Sequence, residues 1–103
     1  VIVVVKEPHK SAEIREIEDS LTARQQIVGG YIEVVELING LDLVCNEEFL
    51  YLDLEPNVFV NGQLFYGTVF VTKADHTGTF VSLTDSEART AVMILNRMAV
   101  EVM

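Results

Sequence analysis

Four carboxylates stand close together in this chain: Glu47, Glu48, Asp53 and Glu55. Paired carboxylates can do acid–base work when their surroundings separate their pKa values. They can also hold a hard cation when enough oxygens converge. No calcium-loop spacing is present, so the segment reads first as a solvated acidic stretch. His9 and His76 each fall in a polar turn sequence, with no HxxxH or CxxC spacing to make them metal ligands. Cys45 is the single cysteine. A nucleophilic thiol needs a base or a positive setting, and its neighbours are acidic, so a buried core thiol is expected. Ser11, Ser20, Ser82 and Ser86 lack a nucleophile elbow. Tyr31, Phe65 and Tyr66 can line a pocket, although aromatic residues beside strands usually build core. Asn57 follows Pro56, where a turn asparagine can offer its amide to a ligand or to its own backbone. No nucleophile, base and oxyanion donor assemble. We therefore expect a non-enzymatic protein with no catalytic residue, no metal and no cofactor.

Gly29 and Gly30, in "IVGGYIEVVEL", pose a sharper question: do they cradle a ligand or turn the chain? Phosphate cradles use amides at the start of a helix. These glycines follow a helical pattern over residues 20–28, in which Leu21, Arg24, Gln25 and Val28 fall at helical spacing. Asp19 or Ser20 can cap its start. Gly29 is expected to end the helix with a positive φ, and Gly30 to make a tight joint.

Other elements position these residues. The β-branched run "VIVVVK" reads as a strand buried on both faces, ended by Pro8. Residues 13–17 read as its antiparallel return. Asn39-Gly40 lies between "YIEVVEL" and "LDLVC", the strongest local signal for a hairpin, here over residues 31–45. On its second strand Leu41, Leu43 and Cys45 share one face, opposite Asp42 and Val44. Asn46 can cap one helical turn that would pack Phe49, Leu50, Leu52 and Leu54 onto the sheet. A short run reaches Val60, Asn61-Gly62 turns, and a strand follows over about residues 64–73. "ADHTG" turns again, and residues 79–82 pair back. "TDSE" is a capping box for a helix near 85–99, with Ala88, Ala91, Val92, Leu95, Met98, Ala99 and Val102 as its apolar stripe. The sum is one α+β domain over residues 1–103: a mostly antiparallel sheet of five or six strands, with helices against one face.

The chain has 103 residues, half of them hydrophobic. At this size roughly two thirds of the unfolded surface is buried, so no disulfide or metal staple is required. A lone cysteine suits a reducing cytoplasm. "VIVVV" is too short for a signal h-region or a membrane span. Sixteen acids face seven bases, a net charge of −9, and no lysine or arginine occurs between Arg24 and Lys73. Direct contact with a nucleic-acid backbone or an anionic membrane needs positive charge, so neither is expected.

"IVGGYIEVVEL", "LVCNEE", "PN", "GTVFV" and "VSLTDSE" come in an order and spacing that resembles a family of small phage and mobile-element proteins, the domain of unknown function 3846. The resemblance runs from Val1 into the final helix, and GGYIE followed by N-E-E is its most specific part. This chain departs from it at Phe49, where a small or polar residue often stands, and in the aromatic bulk of Phe65 and Tyr66. The family carries no assigned activity. The resemblance implies an accessory protein in the cytoplasm of a bacterial host.

Three readings follow from residues and resemblance together. In the first, the chain is an acidic interaction module for a host protein with a basic surface, such as a defence or DNA-acting enzyme. Tyr31, Asn46, Glu47, Glu48, Asp53, Glu55 and Asn57 are its candidate contacts. In the second, Gly29, Gly30, Tyr31, Asn46 and Asn57 converge to bind a nucleotide-like small molecule. The third is a carboxylate-dependent hydrolase. A homodimer through Phe65–Tyr66 or an exposed sheet edge is compatible with each.

Overall fold

The structure is a computed structural model that describes residues 1–100. Strand β1 (Ile2–Lys6) pairs with β2 (Glu13–Glu16) on one side and β7 (Val69–Ala74) on the other. Strands β3 (Ile32–Ile38) and β4 (Leu41–Asn46) form the hairpin expected from Asn39-Gly40. Both turn residues have positive φ, 47° and 80°, as a two-residue turn matched to strand twist requires. The sheet runs β2-β1-β7-β4-β3, entirely antiparallel, and β8 (Phe80–Val81) adds to β7 beyond the end of β1. Strands β5 (Pro56–Val60) and β6 (Gln63–Tyr66) make a separate hairpin across Asn61-Gly62.

The period-two rule of strands sorts the core into two layers. Val3, Val5, Val44 and Phe70 point to one face, where helix α1 (Leu21–Val28) lays Val28 against them. Val4, Leu43, Cys45, Val69 and Val71 point to the other. Helix α2 (Asp85–Met98) and the β5–β6 hairpin cover that side with Ala88, Ala91, Leu95, Val58, Val60 and Phe65. The two helices therefore lie on opposite faces, not on one. Val3, Val4 and Val5 are almost wholly buried for this reason.

Local signals hold at both helices. Ser20, not Asp19, caps α1 by accepting from the Ala23 amide at 3.1 Å. Asp19 instead accepts from the Arg24 guanidinium at 2.9 Å. Arg24 is buried, with its guanidinium 4.6 Å from the centre of the Phe80 ring. Leu21 belongs to the expected apolar face but is exposed. Thr84 and Glu87 form the capping box of α2. The apolar stripe of α2 packs inward through Ala88, Ala91 and Leu95, with Val92 and Met98 partly covered. Ala99 leaves the helix and bridges Val58. Val102 lies outside the described residues.

Two other expectations are corrected. The single strand over 64–73 is two strands in different sheets, broken at Gly67-Thr68. Gly67 has φ 80°, and a Cβ there would sit 2.8 Å from Leu54 Cδ1. Only glycine allows that crossing. Residues 47–52 form consecutive turns rather than a helical turn. Phe49 is buried and Leu54 half-buried, while Leu50 and Leu52 are exposed.

Glu87 accepts from Lys73 Nζ at 2.7 Å and from the Thr84 amide at 2.8 Å. The lysine bond first, and then the amide, hold its carboxyl below the ordinary 4.5. A depressed folded pKa stabilises above the unfolded value and is lost as pH falls through the folded one. Glu87→Gln is predicted to lower stability at neutral pH in urea melts. The gap should shrink as pH drops below about 4.5. A gap that is unchanged in acid would refute this.

Candidate functional site

The two glycines are resolved by their hydrogen bonds. Gly29 is the left-handed C-cap of α1, with φ 80° and ψ 25°. The amides of Gly29 and Gly30 both donate to the Gln25 carbonyl, at 2.8 and 3.0 Å. Neither is available to an anion. Gly30 answers a different constraint. A Cβ on it would lie 2.9 Å from Asn46 Nδ2, whereas one on Gly29 would meet open space.

Asn46 explains that closeness. It ends β4, is buried, and donates from Nδ2 to the Val28 carbonyl at 3.1 Å. Val28 is the last residue of α1, whose terminal carbonyls have no partner within the helix. The Asn46 Oδ1 accepts from the Glu48 amide at 2.8 Å. The side chain thus clasps helix, strand and loop together. Around it Gly29, Gly30, Tyr31, Glu48 and Leu52 border a shallow cleft of about 290 Å³. Tyr31 is exposed beside it.

Asn57 is not part of that cleft. It is fully buried on β5, donating from Nδ2 to the carbonyls of Lys6 and Gly67, both at 2.8 Å. Its Oδ1 accepts from Lys6 Nζ at 3.0 Å. Lys6 is itself buried and also donates to the Glu7 carbonyl at 2.8 Å. Burial lowers the pKa of this ammonium. Asn57 does not bond its own turn: its amide joins the small hairpin to the main sheet.

Glu47, Glu48, Asp53 and Glu55 are all exposed on the loop between β4 and β5. Asp53 and Glu55 border a second cleft beside the end of α1, about 370 Å³, with Pro8, Gln26 and Thr68. Glu55 lies 3.4 Å from His9 Nε2. Among the described residues no three His, Cys, Asp or Glu side chains gather at metal-binding spacing. Between these acids Leu50, Tyr51 and Leu52 project outward, Tyr51 at 86% exposure. Sequence reasoning placed Leu50 and Leu52 inward; the turns at 47–52 point them out.

Phe65 is buried, 5.3 Å from the Phe49 ring, and Tyr66 stacks on Phe49 at 6.2 Å. These aromatics fasten the loop to the hairpin. A groove of about 340 Å³ runs past them, with Glu33, Val35, Leu50, Val60 and Gln63 along it. No local motif announces it, since its walls come from β3, the loop after β4 and the β5–β6 hairpin.

Cys45 is buried on β4, its thiol donating toward the Glu33 carbonyl at 3.7 Å and Glu33 Oε2 at 3.8 Å. Burial, then the Glu33 charge, then that bond push the thiol up to about 12. This is the opposite of an activated nucleophile.

A capped helix ending on Gly29-Gly30, the Asn46 clasp and the "TDSE" helix start now stand together on one chain, and the model of one protein family matches it over residues 1–96. The chain belongs to the domain of unknown function DUF3846. No curated protein and no solved structure matches it.

Two stability tests follow from this geometry. Asn57→Ala strands two carbonyls and the Lys6 ammonium, and is predicted to cost about 3 kcal/mol in denaturant melts. A loss under about 1 kcal/mol would contradict the linking role. Gly29→Ala is predicted to cost about 1 kcal/mol, the left-handed penalty alone. Gly30→Ala must displace the Asn46 amide. It is therefore predicted to cost more than Gly29→Ala in the natural protein and to lose most of its effect in an Asn46→Ala background. Additive losses in that double-mutant cycle would refute the close-approach account.

Proposed function

We propose that this DUF3846 protein is a non-enzymatic, acidic interaction module that docks on the basic surface of a host protein. The observation that carries the reading is the distribution of exposed charge. Glu33, Glu36, Glu47, Glu48, Asp53 and Glu55 are all exposed on β3 and the loop after β4, within a stretch that holds no lysine or arginine. The bases lie elsewhere. Lys6 and Arg24 are buried, Lys10 and Arg15 meet Glu7, Lys73 meets Glu87, and Arg89 and Arg97 are exposed on α2, outside the acidic stretch. Asp42 supports the same picture, because burial and the nearby Glu36 charge raise its pKa. A field of uncompensated negative charge speeds encounter with a positive partner and repels nucleic acid. No helix among the described residues is long and apolar enough to cross a membrane.

The family resemblance supports a setting in a phage or mobile element, acting in the host cytoplasm on a defence or DNA-acting enzyme whose basic groove normally holds nucleic acid. The nucleotide-binding reading has less support. The glycine amides are committed to Gln25, and the cleft beside them faces the negative end of α1 and Glu48.

The test compares the natural protein with a variant carrying Glu47→Gln, Glu48→Gln, Asp53→Asn and Glu55→Gln, each used as bait in lysate of the natural host. The natural bait is predicted to retain a host protein at low salt and release it at high salt, and the variant to bind it at least about tenfold more weakly, a loss of about 1.4 kcal/mol. Equal retention by both baits, or none at either salt, would overturn the proposal.

A further inference from the structure

Strand β3 is an edge of the main sheet, and its sequence has an unusual symmetry: Glu33-Val34-Val35-Glu36 reads the same in both directions. An edge strand carries main-chain N–H and C=O groups with no neighbour. Their direction can be worked out here. Tyr31 accepts from the Glu47 amide at 2.8 Å, and the Glu33 carbonyl meets the Cys45 thiol, so both turn toward β4. Direction alternates along an antiparallel strand. Ile32 and Val34 therefore turn their amides and carbonyls outward. So does Glu36, whose carbonyl accepts from Asn61 Nδ2 at 3.3 Å. That bond closes the edge at one end and leaves Ile32 to Val35 open. Beside the open length lies the groove of about 340 Å³, with Val35, Phe49, Val60 and Phe65 among its lining residues and Glu33 and Glu36 along β3.

We infer that the β3 edge is a strand-addition site for an extended basic segment of a partner protein, with the pattern basic–apolar–apolar–basic. The segment adds a strand to β3. Its two outer cations meet Glu33 and Glu36, and the apolar side chain opposite Val35 enters the groove. Strand addition of this kind takes affinity from main-chain bonds and specificity from side-chain pockets. Because the four-residue pattern is symmetric, it accepts its partner in either strand direction. This inference rests on the interaction-module reading and adds main-chain pairing at β3 to the attraction of the loop carboxylates.

The test uses the whole protein and a fluorescein-labelled peptide with lysine–valine–leucine–lysine at its centre, read by anisotropy at low salt. Binding is expected, with increased hydrogen-exchange protection of the Val34 amide. Three changes should each weaken it at least tenfold: glutamate in place of both lysines, N-methylation of the peptide's central amides, and Val34→Pro in the protein. Proline suits an edge position whose N–H faces solvent, so the β3–β4 ladder survives. If that variant is found unfolded, Glu33→Lys with Glu36→Lys serves in its place, with the same expected loss. No binding of the lysine peptide, or full binding of the N-methylated one, overturns the inference. So does a dimer of the free protein that the peptide cannot dissociate. A host protein retained by the Val34→Pro bait but lost with the loop variant would overturn strand addition at β3 while leaving the interaction module intact.

Discussion

The buried pair of Lys6 and Asn57 is the constraint on which the arrangement of this domain depends. Apolar contact is non-directional, and Val58, Val60 and Phe65 alone would let the β5–β6 hairpin slide over the main sheet. The Asn57 amide removes that freedom. It must satisfy Lys6 and Gly67 together, and a shift of one residue would strand several buried polar groups at once. Lys6 can reach it because β1 alternates: Ile2 and Val4 point to the hairpin side, and Lys6 follows them. Pro56 fits the start of β5, where a strand tolerates a missing donor. Seating the hairpin this way also sets the walls of the groove beside β3.

Asn46 plays the matching part on the other face, holding the end of α1 through the Val28 carbonyl. Asn46 and Asn57, two of the candidate contacts, thus act as internal fasteners between elements. Their commitment divides the candidate residues cleanly. Tyr31 and the acids of the loop face water, and the amides face inward. The asparagines at the end of β4 and on β5 donate to carbonyls of other elements, whereas the loop carboxylates have no proton to donate and stay in water.

Much of this was readable from local chemistry. Asn-Gly pairs marked both hairpins, "TDSE" marked α2, and Gly29 marked the end of α1, because each depends on a few adjacent residues. The features that were not legible all depend on distant partners. The break at Gly67 exists because Leu54 crosses there, and nothing in "LFYGTVFV" announces Leu54. The side on which each helix packs is set by strand order, and a sheet buried on both faces gives β1 no polar side to reveal it. Asn57 was read against its own turn because Lys6 lies fifty-one residues away. The groove is invisible for the same reason, its walls being brought together only by the seating of the hairpin.

The position of β1 has a consequence for how the chain is made. Its first neighbour, β2, follows at once, but its second, β7, supplies Val71 opposite Val4 from sixty-seven residues further along the chain. Until then one side of "IVVV" stays open on a growing chain, in a segment of high β-propensity without charge, the kind that aggregates when exposed. Lys6 and Pro8 sit directly after it, a charge and a breaker of the sort that guards such runs during synthesis. The ammonium that locks the finished fold therefore also stands as a gatekeeper beside that run, and closure of the sheet depends on the non-local pairing of β1 with β7.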